Sequence, residues 1–313
     1  MEPLLYKHYT SSYSSTVHKY NYNGILNPSF IMEPDAKISI IITNLNDDRI
    51  FNLINTLRHL RCFEIIVADG GSSKDHQLRL NDIDAENLKV FVLPGPVAVT
   101  RHKVAPMIAG DISVFIDTDE LPSDSEWLWK LVAPIQNGSA DFTFGPTKPM
   151  HPAGNRIARY IDLYDEWMYS KLLPVDISKG AMGNSAWKTE IIRELDFDTA
   201  LTMGGEDYDL TIRALQAGYR GVFVPDAVLL HDQNNIKTLR RFLRKKFSYL
   251  LGAALAYKKN RISGSRIRSS VRGSTWRGDP IEILVIMMKP FAFILSQVIS
   301  LEYLRRKASK RYG

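Results

Sequence analysis

Cysteine is nearly absent: the 313 residues contain one, Cys62. That excludes an intramolecular disulfide and a cysteine-rich zinc site, and leaves Cys62 to pack as a small hydrophobe. The start, Met1 to Lys7, lacks a basic segment followed by an apolar run, so no secretory leader is expected and the expected location is cytoplasmic. Internal repeats and long low-complexity linkers are also missing. Apolar residues make up 45% and charged residues 24%, which excludes a globally disordered chain. Acid is scarce at one end only. From Asn234 onward, 19 Lys/Arg face three acids, Asp279, Glu282 and Glu302, whereas residues 1–233 hold 31 Asp/Glu against 21 Lys/Arg. An acidic body with a basic tail points the tail at an anionic partner.

What is present is most informative at residues 111–120. The apolar run Val114 to Ile116 stops at two carboxylates one residue apart, Asp117 and Asp119. A short apolar run ahead of polar residues reads as a buried parallel strand, and ligands bind at the carboxyl ends of such strands. Side chains at i and i+2 of an extended segment point the same way. Two such oxygens suit a divalent cation whose other ligands are water and substrate phosphates.

The surrounding pattern alternates. Strands are expected at Ile38–Ile42, Glu64–Ala68, Leu88–Leu93, Phe142–Phe144 and Gly221–Val224. Helices are expected at Ile50–Leu60, at Val97–Ala109 with a kink at Pro106, and at Asp207–Gln216, closed by Gly218. Strand, helix, strand at this spacing predicts an α/β fold with a mostly parallel sheet. Residues 1–35, rich in Tyr, Ser and Asn, read as an extension, 36–233 as the α/β domain and 234–313 as a basic amphipathic helical tail.

Several stretches, in this order, resemble the inverting family 2 glycosyltransferases. They are Ile38-Ser39-Ile40-Ile41-Ile42-Thr43-Asn44-Leu45-Asn46, Val67-Ala68-Asp69-Gly70-Gly71-Ser72, Thr100-Arg101-His102, Asp117-Thr118-Asp119, Gly204-Gly205-Glu206-Asp207-Tyr208-Asp209-Leu210 with Arg213, Gly218-Tyr219-Arg220 and Pro225, and His231. The resemblance runs from about Lys37 to His231 and implies the GT-A fold, Rossmann-like, with a nucleotide-sugar donor. It places Thr43, Asn44 and Asn46 in the nucleotide loop, Asp69 on the base, and Arg101 on the diphosphate. It gives Mn²⁺ or Mg²⁺ to Asp119, with Asp117 on ribose or a metal-bound water and His231 as a third ligand. An imidazole favours Mn²⁺ somewhat. Asp207 matches the family's catalytic base and Glu206 is its reserve, while Asn184 and Trp187 fall where the family shapes the sugar pocket. Asp209 is expected only to favour the helix start. The Gly204-Gly205 lead-in is expected to let backbone approach a ligand.

In the tail, Asn234–Asn260 reads as a basic amphipathic helix with Ile236, Leu239, Leu243, Phe247, Leu250 and Ala254 in one stripe. A basic Ser/Gly-rich loop, Arg261–Arg277, follows. Ile281–Leu304 is the most apolar stretch, interrupted by Lys289 and Pro290 and crossed by a polar stripe of Glu282, Lys289, Ser296 and Ser300. It reads as two short helices broken near Pro290 and lying at a membrane interface, with Arg305 to Arg311 on the headgroups. The expected partners are therefore a GDP- or UDP-sugar, with GDP-mannose favoured because lipid-linked mannosyl transfer is common in the family, a lipid-linked acceptor, and the cytoplasmic face of a membrane. Nucleic acid is not expected, since such binding needs no apolar tail. A nucleotidyltransferase is the competing enzyme, but Asn44-Leu45-Asn46-Asp47 stands where its Gly-rich loop belongs. A non-catalytic binder of anionic surfaces is the other alternative.

Overall fold

The computed structural model describes residues 36–150, 155–169, 182–232, 236, 238–262 and 279–312. The N-terminal extension and most of the basic loop after Arg261 lie outside them. Four apolar runs form parallel neighbours, in the order β3 (Leu88–Val92), β2 (Glu64–Asp69), β1 (Ile38–Asn44), β4 (Ile112–Asp117). The sheet continues through β8 (Asn184–Lys188), β6 (Phe142–Phe144) and β9 (Gly221–Phe223), with β8 alone running against its neighbours. A second small sheet holds β5 (Glu120–Pro122), β10 (Leu229–His231) and β7 (Thr147–Pro149).

Alternation along the strands sends side chains to two cores. Ile40, Ile42, Val67 and Val114 pack with Ile50, Leu53 and Leu57 of α1 (Arg49–Leu57) and with Leu128 and Leu131 of α4 (Trp127–Gln136). Ile41, Ile66 and Phe115 pack on the other face with Ile191 and Ile192 of α6 (Thr189–Leu195) and Leu210 of α7 (Glu206–Gln216). Two further helices, α2 (Lys74–Asn81) and α5 (Arg156–Tyr169), lie in the segments after β2 and β7. The helix α3 (Val97–Val104) gives way to a 3₁₀ turn at Ala105–Met107, where Pro106 lacks the N–H to continue it.

The tail does not stand apart: residues from Glu33 onward form one compact unit. Its first helix, α8 (Leu239–Lys259), lies on α7. Gly204 and Gly205 both adopt left-handed φ, 97° and 89°, and a side chain at Gly205 or at Gly252 would run into the facing backbone. The Gly-Gly lead-in thus receives α8, not a ligand. Asp209 is fully buried and accepts from Lys259 (2.9 Å), Asn260 (2.8 Å) and Arg213 (2.8 Å), so it clamps the two helices together and does more than favour a helix start. The buried side chains of α8 are Phe242, Leu251, Leu255 and Ala256, because α7 and the next helix cover it from two sides.

The apolar stretch is one helix, α9 (Pro280–Val298), that runs straight past Pro290; the break comes at Ile299, before α10 (Leu301–Tyr312). Packing along α8 compensates for the one backbone bond Pro290 cannot make. Lys258 fixes the break by donating to the carbonyls of Ser296 (3.0 Å), Gln297 (2.9 Å) and Ile299 (3.1 Å). Arg305 of α10 then pairs with Asp198 at 2.9 Å.

Removing one member of a buried charge cluster leaves the others uncompensated, at a cost of about 3–5 kcal/mol. Asp209→Ala is therefore expected to lower unfolding free energy by about that much. Urea denaturation checks it, and a loss below about 1 kcal/mol, the range of surface ion pairs, contradicts the clamp.

Candidate active site

Strand register gathers the site. Thr43 pairs with Asp117 and Asn44 with Asp69, so β1, β2 and β4 end at one edge of the sheet. Just beyond, the antiparallel pairing of β5 with β10 sets His231 opposite Glu120 and brings His231 Nε2 to 3.4 Å from Asp119 Oδ2. The Asp232 amide donates to the Asp119 carbonyl at 2.8 Å, tying the two segments together. Burial by itself would raise the Asp119 carboxyl, but His231 and then Arg49 outweigh it and hold it at about 2. Arg49, at the start of α1, is paired with Asp47 and lies 3.6 Å from both Asp119 and Asp232. Glu120 is buried and accepts from the Asp117 amide at 3.3 Å; desolvation pushes its carboxyl well above the ordinary range. Gly183 lies against the Asp117 and Glu120 carboxylates, where a side chain would collide with both.

A second group of acids arrives on α7. Arg101, 4% exposed, donates to Glu206 at 2.9 Å and to Asp117 at 3.3 Å, bridging the helix to the strand end. Burial first, and then the charge of Asp207, raise the Glu206 carboxyl to about 7 despite Arg101. Asp207 is raised as well, mainly by desolvation, and accepts from the Tyr208 amide at 2.8 Å. Its side chain is only partly buried, whereas Glu206 is enclosed. The site therefore has a strand-end acid group beside an imidazole, a helix-start acid pair, and one guanidinium between them.

Among the described residues no three or more of His, Cys, Asp and Glu form a ready-made metal cage. Asp119 Oδ2 and His231 Nε2 lie 3.4 Å apart, with Asp117 two residues away at the end of the same strand.

The family model for glycosyl transferase family 2 matches residues 39–195, just over half of the chain. The chain belongs to glycosyl transferase family 2. It is 26% identical over 216 residues to the O-antigen chain rhamnosyltransferase RfbN of Salmonella typhimurium, covering 63% of this chain and 67% of that protein. A mannosyltransferase of Pyrobaculum calidifontis, solved with GDP-mannose and Mn²⁺, superposes with a TM-score of 0.54 at 15% identity, over 89% of this chain and 76% of that one. Glucosyl-3-phosphoglycerate synthase of Mycobacterium tuberculosis, solved with Mn²⁺, UDP-glucose and phosphoglyceric acid, gives 0.51 at 20% identity, over 74% and 82%. The protein is a glycosyltransferase of GT-A fold that uses a nucleotide sugar.

Not every expected residue of this glycosyltransferase faces the cleft. Trp187 is fully buried and stacks on Phe142, with ring centroids 4.3 Å apart, so no sugar reaches it. Asn184 is buried too: its amide donates to the carbonyls of Pro146 (2.9 Å) and Ala227 (2.8 Å) and accepts from Trp127 (3.0 Å). Asp69 is buried inside its own turn, accepting from the Ser72 amide (3.0 Å), the Ser72 hydroxyl and Gln77 (3.1 Å). Asn46, at a left-handed φ of 51°, accepts from the Ser73 amide at 2.8 Å and pins the β1 loop to that turn. Asn44 contacts His76 at 2.8 Å, while its Oδ1 is buried without a hydrogen-bond partner. Arg101 is committed to carboxylates, not open to a diphosphate. Thr43 lies part-exposed at the strand end. Sequence reasoning passed over Arg49 and Glu120, although Glu120 directly follows the Asp-Thr-Asp run.

A carboxyl raised in the folded state binds its proton more tightly there than in the unfolded chain. Its stabilisation is therefore complete at low pH and is lost as pH rises through the folded value. For Glu206 the window runs from 4.5 to about 7, and Glu120 acts in the same sense. The melting temperature is expected to fall across that window, and less steeply in Glu206→Gln. Thermal melts at stepped pH check this; identical slopes contradict it.

Proposed function

We propose that the enzyme is a metal-dependent, inverting transferase acting at the cytoplasmic face of a membrane. It moves a sugar from a nucleoside-diphosphate donor, with GDP-mannose the first candidate, to a hydroxyl or phosphate of a lipid-linked acceptor. The observation that carries the reading is the Arg101 bridge, which sets the strand-end acids and the α7 acids on two sides of one cleft. In the proposed step an acceptor oxygen forms a bond to the anomeric carbon as the bond to the donor's β-phosphate oxygen breaks. The acceptor proton passes to Asp207, the more open of the two α7 acids, and the nucleoside diphosphate leaves. Glu206, held by Arg101, orients its neighbour. Asp119, Asp117 and His231 would hold the Mn²⁺ or Mg²⁺, which offsets charge developing on the diphosphate. The fold relatives solved with Mn²⁺ and a nucleotide sugar support the donor class.

Membrane contact rests on the inverted polarity of α9. Glu282 and Ser296 are buried against the protein, while Met287, Phe291, Ile294 and Val298, at helical spacing, point outward, with Phe291 66% and Val298 76% exposed. A helix in water does the reverse. The 19-residue helix is long enough to cross a membrane, and an 18-residue window of it has a mean hydropathy of 1.8. The buried polar stripe and the packing on α8 support a helix lying along the interface.

Thermal shift with GDP-mannose and UDP-glucose is expected to show stabilisation by one donor that needs Mn²⁺ or Mg²⁺ and vanishes with EDTA. Asp207→Asn should keep that shift while losing transfer by about 10²–10⁴-fold. Full turnover in Asp207→Asn would move the base elsewhere.

Liposome flotation is expected to recover the protein with anionic vesicles. Phe291→Glu with Val298→Glu should abolish recovery without changing the donor shift. Unchanged flotation of that double variant would remove α9 from the membrane contact.

A further inference from the structure

The tail helix reaches the acid cluster as well as the membrane. Its seat on the catalytic body is Gly252 against Gly204–Gly205, with the Tyr249 ring on Gly204 and Ser248 donating to the Met203 carbonyl at 3.0 Å. Further along, Tyr257 meets Tyr208 and Lys259 meets Asp209, so α7 and α8 advance in the same direction. The N-terminal half of α8 therefore overruns the start of α7. Lys245 lies seven residues before Gly252, about 10 Å along the axis at 1.5 Å per residue, which carries it beyond Glu206 and over the strand-end acids. The charges of Asp117 and Asp119 both act on its ammonium. Its Nζ lies 5.6 Å from the centre of the Tyr249 ring.

Lys245 differs from the other cations of the site. Arg101 is enclosed by Glu206 and Asp117, and Arg49 is engaged by Asp47, Asp119 and Asp232. Lys245 makes no ion pair with a described residue and is exposed, as is half of Tyr249. An exposed ammonium beside a phenolic hydroxyl, close to the charges of Asp117 and Asp119, suits an anion that itself meets those carboxylates through a cation. A phosphate has that chemistry.

We propose that Lys245 and Tyr249 form a phosphate-binding pair, supplied by the tail helix, that completes the transferase site. This rests on the glycosyltransferase reading above. The phosphate is either the donor's diphosphate or that of the acceptor, and the two sources are separable. Full-length wild type, Lys245→Met, Lys245→Arg and Tyr249→Phe are titrated calorimetrically with GDP and with UDP in the presence of MnCl₂. They are then titrated with farnesyl phosphate against farnesol in detergent micelles. Circular dichroism and melting temperature verify that each variant is folded.

Lys245→Met is expected to weaken one phosphate ligand by about tenfold or more, with partial recovery in Lys245→Arg and a smaller loss in Tyr249→Phe. Loss confined to the nucleotide identifies the leaving diphosphate; loss confined to farnesyl phosphate, with farnesol unaffected, identifies the acceptor. Wild-type affinities for both in folded Lys245→Met overturn the pair while leaving the transferase reading intact. Failure of the wild type to bind either nucleotide with Mn²⁺ overturns that reading and the pair with it.

Discussion

Repulsion among carboxylates crowded at one end of a sheet is the constraint on which the rest of this structure depends. Two unit charges 4 Å apart interact by about 4 kcal/mol at the effective dielectric of a protein surface. Asp47, Asp117, Asp119, Glu120, Glu206 and Asp207 cannot all ionise unaided. The fold answers in two ways. It brings in cations from separate elements: Arg49 from α1, Arg101 from α3 and Lys245 from α8. It also leaves the enclosed acids, Glu120 and Glu206, easier to protonate than ordinary carboxylates. Asp117, Asp119 and Asp207 are more open than these two.

This constraint explains why the tail is part of the transferase and not an appendage. Burying Asp209 at the foot of α7 would be unfavourable alone. Lys259 and Asn260 at the end of α8 complete its partners. Asp198 works in the same way, with Lys259 and Arg305 holding its carboxyl at about 2 against the effect of burial. The basic surplus of the tail is thus partly spent inside the molecule on acids of the body. A count of charges by sequence segment shows the complementarity but not that the two halves meet.

The sheet was legible because each parallel strand is an apolar run closed by polar residues, and the acids were legible because they follow those runs directly. Trp187 and Asn184 were not. The antiparallel entry of β8 places Trp187 opposite Phe142 and Asn184 opposite Ile116, turning both into the interior. Spacing around an isolated Gly-Asn-Ser segment carries no sign of strand direction. Arg49 and Lys245 escaped for another reason: the strand-end acids near them, Asp119 above all, lie far away in sequence, and Lys245 looked like one more solvated charge on a basic helix. For α9 the periodicity ran the polar stripe on to Ser300, which lies past the helix end; it put Glu282, Lys289 and Ser296 on one stripe but did not show which side faces the protein. That depends on α8, which offers the polar stripe a neighbour and lets Lys258 tie down the helix end.

The polarity of α9 in turn limits the acceptor. Exposing a large apolar side chain to water forfeits about 1.5–3 kcal/mol relative to burying it, and α9 exposes several in one stripe while enclosing Glu282. The proposed membrane contact would make that orientation favourable. On the proposed membrane reading, α8, which packs on both α9 and α7, stands between the bilayer surface and the acids of α7, and a helix with its side chains is about 10–12 Å across. An acceptor anchored in that bilayer needs to raise its reactive oxygen by roughly that distance, which a phosphate and one or two sugars on a lipid can span. A soluble acceptor would gain nothing from the arrangement. With the proposed membrane contact, the tail therefore favours an acceptor whose reactive end stays close to the bilayer, with α8 between the lipid and the acids of α7.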